Sequence, residues 1–307
     1  MKKKIVIIGF GSAGQRHYDS LKKIKNVKIL IITKIRKFNF LSKLSALKSI
    51  NPDYFVISTP TSEHFSIASF IEKNFKGKKI LIEKPLFHKY KNFNAKNNTF
   101  YVGYQLRFHP IIDKLRKISD DEKILNVNII CNSYLPLWRK RDYELSYSSK
   151  KKEGGGVLLD LSHELDFLQW TFPNVKYKYI FKTKLSSLKI NTDDVCTISG
   201  FDKLNKFPFQ INLSYFSKAN RRLVIVDTER FTFTGNLFEN YFELHYPKRK
   251  IHRKFNKFNS KYLTYLMHKS ILTGRGAEKL SSLNSGKLIM KSINQLEKMN
   301  KKNNKNI

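Results

Sequence analysis

Cysteine is almost missing from this 307-residue sequence: Cys131 and Cys196 are the only two. Two thiols cannot build a disulfide framework, so a reducing, cytoplasmic setting is the expectation, and no metal site is expected. Long apolar runs are absent as well; none approaches the ~20 residues needed to cross a bilayer. The opening "MKKKIVIIGFGSAGQRH" has the basic start of a leader, but its apolar run is only "IVIIGFG". That run passes into Gln15, Arg16 and His17 without a small-residue cleavage site, so it reads as a first strand. Neither an internal repeat nor a long low-complexity linker interrupts the chain. Acid is scarce too, with 24 Asp and Glu against 59 Lys and Arg, a formal charge of +35. Such a balance raises the question of nucleic acid. The densest basic stretches are Lys150–Lys152, Tyr246–Lys257 and the closing "KMNKKNNKNI". No zinc-ligand spacing, helix-turn-helix or RNA-recognition signature accompanies them, and the lysine travels with abundant Asn, Ile and Phe, as in AT-rich coding drift. Specific nucleic-acid binding is therefore not expected, whereas the positive field suits anionic small molecules such as dinucleotides and sugar phosphates.

What is present is enough apolar residue, 41%, to fill the cores of two ordinary domains. Over the first hundred residues "KIVIIGF", "VKILIIT", "DYFVIST", "KKILIEK" and "TFYVGYQ" alternate with segments of helical length. That alternation predicts an α/β domain, a Rossmann-type doubly wound parallel sheet, over residues 1–120. Beyond it, strand-like runs follow one another through turn-like joins, which predicts an α+β domain with an open, mainly antiparallel sheet over 121–297. Residues 298–307 read as a disordered basic tail.

Directly after the first strand stands Gly9-Phe10-Gly11-Ser12-Ala13-Gly14. In a G-x-G-x-x-G that opens a helix, the first glycine permits the tight turn and the second lets a pyrophosphate reach the backbone. The third lets helix and strand pack closely at the phosphate-binding N-terminus. The acid that should follow ~20 residues on, to hold the ribose hydroxyls in the NAD form, is missing. Thr33, Lys34 and Arg36 stand there instead. A hydroxyl and two cations suit a 2′-phosphate, so NADP is the expected cofactor and NAD the alternative. At the carboxyl ends of the third and fourth strands, where open sheets bind ligands, lie "STPTSEHF", with Thr59, Pro60 and His64, and Glu83-Lys84-Pro85.

The segment "GGGVLLDLSHELDF", Gly154–Phe167, places Asp160, His163, Glu164 and Asp166 behind three glycines. On one continuous helix Asp160, His163 and Glu164 share a face, opposite a stripe of Leu158, Leu161, Leu165 and Leu168. By itself such a cluster reads as a solvated polar face. Together with "GFGSAGQRH", "STPTSEH", "IEKPL" and "GYQLRFHP", in that order, it resembles the Gfo/Idh/MocA oxidoreductases over almost the whole chain. The resemblance implies a cofactor-binding Rossmann domain, an open sheet that forms the homo-oligomer interface, and a sugar or nucleotide-sugar substrate. It implies that Lys84, His163 and Asp160 are catalytic: histidine takes the hydroxyl proton near neutral pH, Asp160 orients the ring, and Lys84 stabilises the developing alkoxide. The common family spacing puts the histidine four residues after the aspartate. Here Glu164 holds that place and His163 is third, so Glu164 is the competing base.

Between Cys131 and the glycines, "NSYLPLWRKRDYELSYSSKKKEGGG" resembles a substrate loop of family members that act on nucleotide-activated or acidic sugars. Trp138 offers a flat face, and Arg139, Arg141 and Tyr143 offer donors, with Tyr104 and Arg107 of "YQLRFHP" beside them. The reading is an NAD(P)-dependent dehydrogenase or reductase working on a secondary hydroxyl or ketone of a sugar. The alternative is a non-catalytic NAD(P)-binding regulator of the same fold.

Overall fold

The computed structural model describes residues 2–33, 47–139, 142–256 and 258–303. They form two compact units, Met1–Phe108 with Asn259–Met290, and His109–Phe258 with the C-terminal segment from Lys291. The chain runs through β1 (Lys3–Ile8), α1 (Ser12–Leu21), β2 (Val27–Ile32), α2 (Leu47–Ile50), β3 (Tyr54–Ile57), α3 (His64–Asn74), β4 (Lys79–Ile82) and β5 (Thr99–Val102) in the first unit. The second unit begins with α4 (Pro110–Asp121), β6 (Ile124–Tyr134), α5 (Val157–Asp160) and α6 (His163–Thr171). Seven strands follow: β7 (Val175–Thr183), β8 (Val195–Asp202), β9 (Pro208–Ser214), β10 (Phe216–Thr228), β11 (Thr232–Asn236), β12 (Tyr241–Tyr246) and β13 (Arg249–Lys254). The chain then returns to the first unit with α7 (Ser260–Thr273) and β14 (Ser281–Ser282), and α8 (Leu283–Asn303) starts there and ends in the second.

The first sheet has the order β14-β5-β4-β3-β1-β2, parallel throughout except for β14 at its edge. Its central strands read as unbroken apolar runs because both faces are covered: Ile5–Ile7, Tyr54–Ile57 and Ile80–Ile82 have no exposed surface. Strand order reverses between β1 and β3, so the loops after those strands, at Gly9 and Ser58, open side by side at the switch point. The second sheet, β13-β12-β11-β10-β6-β9-β8-β7, is antiparallel except for the β6–β9 pair. Here one face is buried. Along β9, Phe209, Ile211 and Leu213 point inward while Gln210 and Asn212 are exposed. The expected fold class, a Rossmann-type sheet followed by a mainly antiparallel one, is the fold observed.

The unit boundaries differ from the expectation of a change near residue 120. Helix α4 buries Ile111, Ile112, Leu115 and Ile118, and an Ile111 methyl fills the space where a Cβ on Gly235 would stand, 2.5 Å away. Its apolar stripe therefore belongs to the second unit. Helix α7 was not anticipated. Capped by Asn259 and ended by Gly274 in the left-handed conformation, it buries Leu263, Met267 and Ile271 and packs on α1. The tail is also shorter than expected, because α8 runs on to Asn303. Asn300 exchanges two hydrogen bonds of 2.9 Å with the Lys182 backbone, and Asn303 donates to the Ile180 carbonyl. Residues 304–307 lie outside the described residues.

Candidate active site

In the first unit the glycine loop has the geometry its sequence requires. Gly9 sits at φ +94°, and a Cβ there would stand 2.7 Å from the Ser58 carbonyl carbon and the Thr59 nitrogen. A Cβ on Gly14 would lie 2.2 Å from the Gly9 carbonyl, so α1 can approach the strand only with glycine there. Gly11 has nothing within 4 Å of a Cβ position, which leaves its backbone open to a phosphate. Phe10, Ser12 and Ala13 complete the turn into α1, with the Phe10 ring edge-on to Tyr18 at 5.8 Å. Ser58 Oγ donates to the Gly9 carbonyl at 2.9 Å and so locks the two loops of the switch point together. Thr59 Oγ1 is buried with no hydrogen-bond partner, and Pro60 opens the turn into α3. Open glycine backbone beside an orphaned buried hydroxyl fits a dinucleotide phosphate. Thr33 follows β2, as expected. Lys34 and Arg36, proposed for a 2′-phosphate, lie outside the described residues.

Two residues read from sequence as cofactor contacts are engaged by the protein itself. The His64 ring sits between the Thr59 carbonyl, 3.1 Å away, and the carbonyls of Pro85 and Leu86, each 3.2 Å away, so it ties the two loops together. Burial lowers its pKa against the pull of those carbonyls and of Glu83. Glu83, 6% exposed, gathers a set of donors: Arg16 Nη2 at 2.6 Å and His17 Nε2 at 2.8 Å on Oε1, and the Lys84 backbone N–H at 3.0 Å on Oε2. Burial alone would raise its carboxyl, but Arg16, then His17 and Lys84, hold it well below the usual carboxylate range. Lys84 thus begins a turn anchored by a buried anion. Tyr104 and Arg107, expected at the substrate, are buried residues of the first unit around the turn at Gln105–Phe108.

In the second unit the acidic helix is neither solvated nor continuous. Leu161, at φ −98° and ψ 30°, breaks it into α5 and α6. Asp160, His163, Glu164 and Asp166 are all buried, which overturns the solvated-face reading and the single-helix geometry together. A positive φ of +123° at Gly156, where a Cβ would meet the Asp193 carboxylate at 2.8 Å, turns the chain into α5. Asp160 closes α5 and accepts a 2.7 Å hydrogen bond from the Tyr215 hydroxyl. Burial, reinforced by the Asp160 charge, holds that phenol well above its ordinary pKa, so it remains a donor. Glu164 is fully buried and grips Arg222 with both oxygens, at 2.7 and 3.2 Å. Each of its oxygens thus accepts from a guanidinium that stabilises its charged form, a poor arrangement for a proton acceptor. His163 is the first residue of α6 and is buried.

Described residues of the segment between β6 and α5 are tied to the same sheet and to one another. Trp138 donates to Ser133 Oγ at 3.0 Å and stands edge-on to Tyr215 at 5.2 Å. Arg139 lies over Tyr147 and reaches Ser148, and the Tyr143 hydroxyl accepts from the Lys189 N–H. Arg141 lies outside the described residues. Tyr215, which sequence reading missed, therefore links the loop tryptophan to Asp160. It left no signal in the sequence; it follows β9 directly, and its carbonyl accepts from the Leu135 N–H. Among the described residues no cluster of three or more His, Cys, Asp or Glu could hold a metal ion, and no helix is long and apolar enough to cross a membrane.

Residues 3–99 match the family described as the Gfo/Idh/MocA oxidoreductase family, NAD-binding Rossmann fold. Comparison with curated proteins finds no match. Among solved structures, the WlbA dehydrogenase from Bordetella pertussis, in complex with NADH and UDP-GlcNAcA, is similar with a TM-score of 0.81, at 15% identity over 98% of this chain and 96% of its own. Levoglucosan dehydrogenase in complex with NADH gives 0.82, at 15% identity over 98% of each chain. The super-repressor mutant of Gal80p from Saccharomyces cerevisiae gives 0.80, at 13% identity over 99% of this chain and 97% of its own. At these identities the likeness establishes the fold.

Two outcomes follow from the buried charges. His17, His64 and His268 all have pKa values lowered by burial, so the unfolded chain takes up protons that the folded unit refuses. Their contribution is complete above pH ~6.5 and falls as the pH drops, by up to about 1.4 kcal/mol per pH unit for each ring. Glu83, with a depressed pKa, adds its loss only below the ordinary carboxylate range near pH ~4.3. Thermal melts followed by circular dichroism should move down between pH 7.5 and 5.5; a flat melting temperature would contradict the buried neutral rings. Glu164→Gln should lower stability by about 3 kcal/mol, since it leaves Arg222 without its counter-charge. Urea unfolding measures this, and an unchanged midpoint would show that the ion pair contributes nothing.

Proposed function

We propose that this chain, whose residues 3–99 are a Gfo/Idh/MocA NAD-binding Rossmann region, is an NAD(P)-dependent oxidoreductase acting on a secondary hydroxyl or ketone of a sugar or nucleotide-activated sugar. The observation that supports it is an open glycine loop in one unit together with a buried cluster of titratable residues in the other. The glycine loop keeps an open phosphate-facing backbone, and the acid/base cluster of α5 and α6 is buried and held in place by Tyr215 and Arg222. A bound nicotinamide dinucleotide supplies the hydride acceptor or donor.

In this reading the chain's own residues bind, orient and move protons. Gly9, Gly11 and Gly14 receive the pyrophosphate, and Thr59 Oγ1 gives it a hydroxyl. Thr33, with Lys34 and Arg36, favours the 2′-phosphate of NADP, because no carboxylate is present to hold a free ribose hydroxyl. His163 takes the substrate hydroxyl proton, Lys84 stabilises the alkoxide charge, and Asp160, pinned by Tyr215, orients the base. The bidentate pairing of Glu164 with Arg222 favours His163 over Glu164 as the base. Trp138, Arg139 and Tyr143 face the sugar, with Tyr104 and Arg107 supporting, and the chain assembles into a cytoplasmic homo-oligomer through its open sheet. WlbA, solved with UDP-GlcNAcA, and levoglucosan dehydrogenase support a sugar-type substrate.

The non-catalytic alternative has Gal80p, a repressor of similar fold, in its favour. Against it, Lys84, Asp160 and His163 all remain in this sequence. Fluorescence titration should show tighter binding of NADPH than NADH, and Thr33→Asp should reverse that order. With a nucleotide-sugar panel, Lys84→Ala and His163→Ala should each cut turnover by roughly 10²- to 10⁴-fold while leaving cofactor affinity nearly unchanged. Dinucleotide binding with no turnover on any sugar would favour the regulator.

A further inference from the structure

Glu83 is the end of a longer line of polar groups running into the interior of the first unit. His17 on α1 places Nδ1 2.8 Å from Nε2 of His268 on α7, and His268 Nδ1 lies 2.9 Å from the Tyr54 hydroxyl on β3. None of the three has any exposed surface. The rings meet edge to face, His17 with His268 at 4.9 Å and Tyr54 with His268 at 5.7 Å.

With both rings neutral, these contacts admit one arrangement of protons. The Glu83 carboxylate, facing Arg16 at 2.6 Å, only accepts, so His17 carries its hydrogen on Nε2. A neutral His17 then has a bare Nδ1, which accepts from His268 Nε2–H. His268 in turn has a bare Nδ1, which accepts from the Tyr54 hydroxyl. Every donor points toward Glu83, and every buried polar atom in the line is satisfied. A second proton on His17 would force His268 into its other tautomer and take away the acceptor of the Tyr54 hydroxyl hydrogen, and one on His268 would set its Nδ1–H against that hydrogen. Burial, the leading influence on both rings, opposes that proton.

We propose that Tyr54, His268 and His17 form a proton-ordered strut that fixes the Glu83 carboxylate and, through it, the backbone of Lys84, so that the three are positioning residues for the Lys84 turn. Oε1 is held by Arg16 and His17, and this orients Oε2 toward the Lys84 N–H, 3.0 Å away. The strut also joins α1, which begins at the glycine loop, to β3, which leads into Ser58 and Thr59. Its use in turnover rests on the oxidoreductase reading, but the strut itself does not.

The test is amide exchange at Lys84 in the full-length protein without ligand, where Pro85 contributes no neighbouring amide signal. His268→Gln can still donate to His17; His268→Asn can still accept from Tyr54 but does not reach His17; His268→Leu keeps the volume and does neither. Lys84 exchange in H268Q should stay within about twofold of the parent, while H268N and H268L should exchange about tenfold faster or more, the worth of one lost bond to a charged group. A purely packing role predicts the reverse order, with the leucine variant best. Nitrogen spectra of histidine-labelled parent protein should show hydrogen on Nε2 of both His17 and His268. Unchanged Lys84 exchange in H268N and H268L, or hydrogen on His17 Nδ1, would overturn the strut. If H268L does not fold, H268Q against H268N decides. Failure of the parent to bind NADPH or NADH would undo the oxidoreductase reading and leave the exchange result standing.

Discussion

A carboxylate buried at the end of a parallel strand is costly unless it is surrounded by donors, and the first unit is organised around satisfying Glu83. Arg16 and His17 come from the helix that the glycine loop starts. The Lys84 N–H comes from the next residue, and the close approach of β5 is possible because Gly103 has no side chain: a Cβ there would stand 3.2 Å from Glu83 Oε2. One anion thus connects the phosphate-facing loop to the lysine turn. The same requirement explains why a helix from near the C-terminus returns to this unit, since α7 supplies the imidazole that completes the hydrogen bonding of His17.

The second unit meets a parallel problem with different chemistry. Its glycine-led segment buries four titratable side chains within seven positions, Asp160 to Asp166. Two of them have neutralising or donating partners drawn from the sheet: Tyr215 for Asp160 and Arg222 for Glu164. The partners differ in a way that separates roles. A phenol donating one bond orients a carboxylate, whereas a bidentate guanidinium engages both of its oxygens and stabilises its charge. Of His163 and Glu164, rivals in sequence, Glu164 is the one paired with Arg222 on β10, 58 residues further along the chain.

Much of the fold was legible because local constraints wrote it. Gly9 and Gly14 are forced by a positive φ and by backbone contact that no side chain survives, and the apolar runs of β1, β3 and β4 report burial on both faces. The break at Leu161 was not legible, because the leucine stripe continues straight across it. Nor was α7, whose buried face mixes Leu263 and Met267 with Thr264 and His268, so its period is diluted by the polar residues the network needs. Pairings such as His17 with His268, 251 residues apart, leave no pattern in one sequence. Glu83 and His64 were read as cofactor contacts, and nothing in the sequence showed that their polar atoms face other parts of the chain.

The proposed activity is hydride transfer between a nicotinamide cofactor, held at the glycine loop, and a sugar. The most direct measurement is mass spectrometry of sugar products after incubation of the protein with NADPH deuterated at the nicotinamide C4 and a panel of keto-sugars and nucleotide keto-sugars. The account predicts one deuterium on the reduced carbon, transferred from one face of the nicotinamide only and lost in the His163→Ala protein. Tight binding of the cofactor with no deuterium appearing in any sugar would contradict it.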